Sequence, residues 1–193
     1  MKKLSAVILA ILITTCGIVL TVKIFDKEKS IVKDILPLKY EKIVNKAAKD
    51  YDLPPSLLYS LIYTESRFNP EAKSYAGAVG LTQINEQTFD WIKWRRGNTD
   101  DFVFEDVKNP EVAIDYGAFL LKHHLDEFED VDLALCAYNA GRGNVISWLN
   151  SDEYSENTEN GRKLREIPFS ETKNYVKKIK ELTIKYQRLY NIK

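Results

Sequence analysis

Glu65 is the side chain whose position most strongly indicates chemistry. It follows Leu58, Leu61 and Ile62 by seven, four and three residues, so on a helix it continues their apolar stripe. A carboxyl group on that stripe faces a core or a cleft wall. Desolvation disfavours its charged form and raises its pKa, as a general acid working near neutral pH requires. The competing interpretation is structural, with Glu65 at a helix end paired with Arg67.

Three further segments carry amide, phenol or carboxyl groups, two of them beside residues with little or no side chain. Such groups, together with exposed backbone, suit an uncharged polyhydroxylated ligand. Each segment also has a structural interpretation, as a helix cap, a packed tyrosine or a helix C-terminus. The segments are residues 80–84 with Gln83, residues 137–141 with Tyr138 and Asn139, and residues 167–172 with Glu171, followed by Tyr175.

The apolar periodicity predicts helices throughout, so the expected fold class is all-α. A short helix is expected around residues 86–94, another beginning at Asn109, and a long final helix from Tyr175 onward. Asp52 and Asp132 are predicted helix caps. Residues 72–80 are Gly-rich and residues 150–164 are polar, so both are expected to be loops.

In this order and spacing, the segments resemble the catalytic domain of the soluble lytic transglycosylases, over about residues 38–186. That resemblance implies a single lysozyme-like, all-α globular domain. Its carriers are Glu65-Ser66, residues 80–84, residues 137–141, Pro168-Phe169, Glu171-Thr172 and Tyr175-Val176.

The resemblance implies cleavage of the β-1,4 bond between N-acetylmuramic acid and N-acetylglucosamine without addition of water. Glu65 is then expected to protonate the leaving oxygen. It next takes the proton of the muramoyl C6 hydroxyl, which attacks the anomeric carbon and leaves a 1,6-anhydro end. The expected partner is the glycan strand of peptidoglycan, and no metal or organic cofactor is expected.

The remaining expected roles also come from the resemblance. Ser66 is expected to bind or orient the muramoyl sugar and Gln83 to hydrogen-bond in the cleft. Tyr138 and Asn139 are expected to line the cleft near Glu65.

Three more positions are expected in the cleft on the same grounds. Glu171 matches a second acid that positions groups there or supports Tyr138, and Tyr175 is a weaker cleft candidate. Thr82 stands where the family commonly has a Met that packs against bound sugar, which puts the contact at that subsite in question.

Two other functions stay open. The first is a muramidase that adds water, for which Asp100, Asp101 and Asp106 are unassigned acids. The second is a non-catalytic glycan-binding scaffold of a cell-envelope apparatus, which would not require an acid at position 65.

The N-terminus predicts a membrane anchor. Lys2 and Lys3 precede the uncharged run 4–22, whose 19 residues rise about 28 Å as a helix, enough to cross a bilayer core. No small-residue cleavage site follows, which favours an uncleaved signal anchor over a secreted, cleaved form. The expected organisation is an anchor over 1–25, a linker over 26–37 and an extracytoplasmic catalytic domain over 38–193.

Composition excludes some partners. Lys plus Arg and Asp plus Glu number 28 each, so no excess of positive charge indicates a nucleic-acid partner. His123 and His124 are adjacent, a poor arrangement for chelating a metal, and are expected on the solvated surface.

Overall fold

The computed structural model describes residues 27, 30–159 and 161–192. The chain divides into two units, Met1–Pro37 and Leu38–Lys193. Within the first, residues 30–35 of the predicted linker are helical. The predicted anchor, residues 1–25, lies outside the described residues. None of the helices in the described ranges combines the length and the apolar character that crossing a membrane requires.

The second unit is mostly helical, which confirms the expected fold class for most of it. A 3₁₀ helix, Phe104–Lys108, precedes α4, and a two-stranded hairpin separates α6 from α7. The elements are α1 Glu41–Asp50, α2 Pro55–Ser66, α3 Glu86–Arg95, α4 Pro110–Phe128, α5 Val131–Ala140, α6 Arg142–Asn150, β1 Ser155–Thr158, β2 Gly161–Leu164 and α7 Ser170–Tyr190.

Helix α2 lies in the middle of this unit. Its residues 56–62 are all buried, because the sequence is apolar or small on every face of those two turns. It packs against α7 on one side and α1 on another, while α5 packs against α4, α6 and α7. The C-terminal ends of α2 and α5 and the N-terminal end of α7 supply the side chains of the candidate site.

The predicted loop over residues 150–164 contains an antiparallel hairpin, so that prediction was wrong. Ser155 pairs with Leu164 and Thr158 with Gly161. The strands are polar, and apart from Ser155 their side chains are exposed or partly exposed. They therefore lack the alternation of apolar residues by which a half-buried strand is recognised.

Two helix caps were predicted two residues away from their observed positions. The side chain of Asp130, rather than Asp132, accepts the hydrogen bond from Leu133 N at 2.9 Å and caps α5. Asp132 instead pairs with Lys180 of α7 at 2.8 Å. Likewise α2 begins at Pro55 without a side-chain cap, and Asp52 lies outside it with φ 50°.

Candidate active site

Glu65 occupies the last turn of α2, one residue before the helix ends. Arg67 and Phe68 both adopt positive φ, 51° and 63°, which stops the helix and turns the chain. Phe68 is then buried against the rings of Tyr59 and Tyr63, so packing holds the turn in place. The carboxyl of Glu65 is thereby fixed at the negative end of the helix dipole, which disfavours its ionisation.

The side chain of Glu65 is partly exposed and accepts one hydrogen bond from protein. Tyr175 Oη, from α7, donates to Oε1 at 2.5 Å. Burial raises the pKa of Glu65 to about 7, although the Tyr175 hydrogen bond and the positive charge of Lys178 act to lower it. Among the described residues, Arg67 forms no ion pair with Glu65, so the structural interpretation of this acid has no support.

Tyr138 brings a second phenol to the site from the end of α5. Its hydroxyl donates to the backbone oxygen of Thr82 at 2.9 Å. Burial and the neighbouring negative charge of Glu65 raise the pKa of Tyr138 well above its usual value, and the same two causes raise that of Tyr175. Both phenols are therefore protonated and act as hydrogen-bond donors.

Residues 80–84 are held by side chains that were expected to bind sugar. Ser66 Oγ donates to Leu81 O at 2.9 Å and also lies 3.1 Å from Ile62 O. Gln83 Nε2 donates to the backbone oxygens of Ala72 and Gly80 at 3.1 and 3.0 Å. Within the described part of the chain, these bonds leave the amide oxygen of Gln83 as its free polar atom. The hydroxyl of Ser66 and the amide nitrogen of Gln83 thus order the segment beside Glu65.

Gly80 is required where this segment meets the 3₁₀ helix. Its φ is +82°, and a Cβ built there would lie 2.2 Å from the backbone oxygen of Val107. No other residue type fits such a close approach without moving the backbone.

Asn139 and Glu171 lie together on a depression of about 560 Å³, called here the Phe169 groove. Thr172 Oγ1 donates to Asn139 Oδ1 at 2.7 Å, so the amide nitrogen of Asn139 is the end left for a ligand. Phe169 is 48% exposed on this groove and packs edge-on against Trp148. Glu171 is exposed. One of its expected roles was to support Tyr138, but among the described residues the hydroxyl of Tyr138 bonds to Thr82 O and not to Glu171.

A second depression, the Tyr138 groove, also lies at the α5 C-terminus. It measures about 390 Å³ and shares Asn139 and Ala140 with the Phe169 groove. Its walls come from the end of α5 and from α3, including Tyr138, Gln87 and Trp91. The two grooves therefore adjoin at Asn139 and Ala140, the residues that follow Tyr138 in the chain.

Residues 42–160 match the family model described as the transglycosylase SLT domain. The chain belongs to that family. The matched range contains α2, the 80–84 segment and α5, and therefore the residues Glu65, Gln83 and Tyr138.

Similar proteins are lytic transglycosylases by name. The SLT chain is 29% identical to membrane-bound lytic murein transglycosylase C of Mannheimia succiniciproducens, over 78% of this chain and 47% of that protein. It is 32% identical to the protein of the same name from Actinobacillus pleuropneumoniae, over 77% and 46%. The chain thus spans about half the length of the curated relatives it matches.

Two solved structures have the same mostly helical, lysozyme-like SLT fold. An inactive mutant of the lytic transglycosylase Slt from Pseudomonas aeruginosa superposes with a TM-score of 0.71 at 27% identity, covering 83% of this chain and 26% of that one. The 70-kDa soluble lytic transglycosylase of Escherichia coli gives 0.71 at 26%, covering 82% and 25%.

Thr82 of this SLT domain does not face the grooves, which corrects its expected contact with sugar. Its side chain is 1% exposed, and Oγ1 donates to Ala113 O of α4 at 2.7 Å. It packs against Gly117, where an added Cβ would come within 2.5 Å of Thr82. The reason is a close contact between residues 80–84 and α4, which turns this side chain into the core.

The histidine pair was also placed wrongly on the solvated surface. His124 is 5% exposed, and His123 is partly buried against the ring of Trp91 at 4.9 Å. Burial lowers the pKa of both, that of His124 to about 4. The two face inward because α4 is covered by neighbouring elements on more than one side.

The histidines and Glu127 bring three candidate ligand atoms within 4.8 Å of one another. The Glu127 carboxylate, however, is held by Arg142, whose Nε lies 2.7 and 2.8 Å from its two oxygens. A metal ion there would have to sit beside a fixed guanidinium charge. The arrangement therefore does not fit a cation.

Thr172 is a residue of the site that sequence reasoning missed as a functional position. It precedes Tyr175, Val176 and Ile179 by three, four and seven residues and so lies on the buried stripe of α7. It is 2% exposed and orients Asn139. A polar residue on an apolar stripe, the signal that singled out Glu65, also identifies Thr172.

Proposed function

We propose that this chain is a peptidoglycan lytic transglycosylase in which Glu65 is the catalytic acid and base. The reaction is the non-hydrolytic cleavage of the β-1,4 bond between N-acetylmuramic acid and N-acetylglucosamine. The observation that carries the proposal is the environment of Glu65, a partly exposed carboxyl whose pKa burial raises to about 7 and which a single phenol orients. An acid with a pKa near the operating pH can give and take a proton efficiently.

In the first step, the protonated Glu65 gives its proton to the glycosidic oxygen as the bond to the muramoyl anomeric carbon breaks. In the second step, the Glu65 carboxylate takes the proton of the C6 hydroxyl while that oxygen bonds to the anomeric carbon. The product carries a 1,6-anhydro ring, and Glu65 regains its proton. The N-acetyl group of the substrate stabilises the positive charge that develops between the steps.

Tyr175 stabilises the carboxylate form of Glu65 that exists between these two steps. Its hydroxyl donates to Oε1 of Glu65 at 2.5 Å, and a hydrogen bond of this kind stabilises the carboxylate more than the acid. Tyr175 therefore keeps burial from raising the pKa of Glu65 so far that the second proton transfer has no base. Its role is to position and tune Glu65, while the bond-breaking proton comes from the carboxyl itself.

Among the described residues, no carboxylate contributes to the pKa shift of Glu65, which favours this reaction over hydrolysis by the retaining route. A retaining glycosidase needs a partner acid about 5–5.5 Å away. A neighbouring acid would raise the pKa of Glu65 by repulsion, whereas here burial raises it and Tyr175 and Lys178 act against that rise. Of the unassigned acids in the described chain, Asp100 accepts from Tyr116 and Asp106 from Val103 N.

The polar atoms of the candidate site that have no partner among the described residues define the expected contacts with the strand. Asn139 Nδ2 and the Glu171 carboxylate face the Phe169 groove, and Gln83 contributes its amide oxygen. Ser66 and Tyr138 act through the 80–84 segment, because each donates its hydroxyl hydrogen to a backbone oxygen there.

The proposal includes the cellular location. Residues 1–25 form a signal anchor, and residues 38–193 form the catalytic domain on the outer side of the membrane, where peptidoglycan is found. The uncharged run 4–22 supports this, and the similar proteins from Mannheimia and Actinobacillus bear the words membrane-bound in their names.

The decisive experiment digests purified sacculi with the full chain and weighs the products. Anhydro ends are lighter than hydrolytic ends by one water, about 18 Da. We expect anhydro products from the natural chain, and from Glu65→Gln no turnover but continued binding to the strands. Glu181→Gln, an exposed acid on α7, is the matched control and stays fully active.

Other outcomes of this digestion would identify one of the two alternative functions. Products of hydrolytic mass identify a muramidase. A natural chain that binds strands and releases no product, with Glu65→Gln indistinguishable from it, identifies a scaffold.

A further inference from the structure

One face of α3 extends beyond the Tyr138 groove. Gln87, Trp91 and Trp94 follow one another at four and three residues, which brings them to the same side of a helix. Gln87 and Trp91 line the Tyr138 groove. Trp91 and Trp94 line the next depression, of about 590 Å³, which shares Trp91 and Arg142 with that groove. The two depressions are therefore contiguous.

Trp91 and Trp94, called here the tryptophan face, expose a large aromatic surface. Trp94 is 66% exposed, more than either of the other two tryptophans. Most of its side chain is therefore not packed in the core. Trp91 is partly buried and fixed by core contacts and by the His123 ring. An exposed apolar surface beside a groove, rather than a scattered apolar residue, is typical of a ligand-binding site.

Several charges around the tryptophan face are paired, whereas Arg95, which lines the same depression as Trp94, is exposed. Arg142 Nη2 is 2.6 Å from Glu127, and Lys122 is 2.8 Å from Asp126. Burial lowers the pKa of His123, so its ring is uncharged at neutral pH. The surface therefore offers aromatic faces with one exposed cation, Arg95, beside them, which suits the rings of a saccharide strand.

We infer that the tryptophan face binds outer sugars of the same glycan strand whose scissile bond lies at Glu65. This inference rests on the proposed function. The rise from Gln87 to Trp94 is about 10 Å, longer than one sugar ring, so the strand follows α3 beyond the Tyr138 groove. Indole faces pack against the apolar faces of the sugars, while their hydroxyl groups stay in water.

The test compares long and short substrates. Trp94→Ala removes an exposed ring and is not expected to disturb folding. We expect the ratio of kcat/KM on long strands to kcat/KM on short muramoyl oligosaccharides to fall about three- to tenfold, the range of an aromatic contact. Phe102→Ala is the control, since Phe102 is also exposed but lines a different depression, between α1 and α4.

Strands stripped of their peptides by an amidase identify the occupant. If Trp94→Ala lowers the ratio on stripped strands as well, the ligand is the sugar chain. If the effect disappears on them, the ligand is a peptide stem and the inference is overturned. An unchanged ratio on all strands also overturns it. In both cases the natural chain still releases anhydro products, whereas failure of the proposed function leaves no anhydro product from any substrate.

Discussion

Tyr175 of α7 donates a hydrogen bond to Glu65 of α2 across 110 positions of sequence, and among the described residues it is the one donor to that carboxyl. It opposes the effect of burial on the pKa of Glu65. The balance between the two decides at which pH the carboxyl can both give and accept a proton.

The activity is expected to fall on the alkaline side of neutrality. Glu65 acts first as an acid, and its protonated fraction decreases as the pH rises through its pKa of about 7. With Glu65 protonation limiting, kcat/KM should fall about tenfold for each pH unit above that value. A pH–rate profile on solubilised strands measures this, and a rate that stays constant up to pH 9 would contradict it.

Tyr175→Phe should move that alkaline limb upward. Removing the hydrogen bond takes away a group that stabilises the carboxylate, so the pKa of Glu65 rises by about one pH unit. Tyr138→Phe is the matched control, because its hydroxyl donates to Thr82 O rather than to Glu65. The alkaline limb of the Tyr138→Phe pH–rate profile should stay near that of the natural chain, even if the turnover of this variant is lower. Coincident limbs for the natural chain and Tyr175→Phe would refute the assigned role.

Glu65→Gln should stabilise the fold at alkaline pH but not at acid pH. Because the folded-state pKa is raised from 4.5 to about 7, stability is full below the unfolded-state pKa and is lost as the pH rises through the folded one. The uncharged amide of Glu65→Gln does not titrate, so the variant avoids this loss of stability at alkaline pH. For a partly exposed carboxyl we expect about 1–2 kcal/mol at pH 8, or roughly 2–8 °C in Tm, and no gain at pH 4.

Thermal unfolding of the full chain at the two pH values measures this difference. The gain must depend on pH, since a similar change in Tm at both values points to altered packing instead of a relieved buried charge.

Thr172→Val tests whether the orientation of Asn139 matters. Valine keeps the shape of this buried side chain but removes the hydroxyl that donates to Asn139 Oδ1 at 2.7 Å. We expect a loss of about 1 kcal/mol in stability from the removed hydrogen bond. We also expect a roughly three- to thirtyfold loss in kcat/KM, because a misdirected Asn139 amide no longer positions the strand.

The control for this variant lies on the same helix. Thr183→Val removes a hydroxyl that bonds back to Ile179 O at 2.8 Å. It should lose a similar amount of stability and no activity. Equal activity of the two variants would leave Asn139 without the proposed role.

The local sequence was sufficient where a signal lies within a few residues. The apolar stripe of α2 singled out Glu65, and Asn109-Pro110 marked the start of α4, whose cap is the Asn109 side chain. The same signals misplaced the cap of α5 by two residues, because Asp130 and Asp132 both satisfy the local preference. The hairpin was missed because its polar strands bury little and so leave no periodic pattern.

The sequence by itself determined the helical fold of the domain and the acid at position 65, since helical periodicity and an acid on an apolar stripe are read from neighbours along the chain. Only the tertiary structure decided what each polar group of the site touches. Tyr175 reaches Glu65, while Ser66, Gln83 and Tyr138 donate to backbone, and Thr82 turns into the core. Those partners lie on separate elements, and the direction of a side chain depends on which element packs against it.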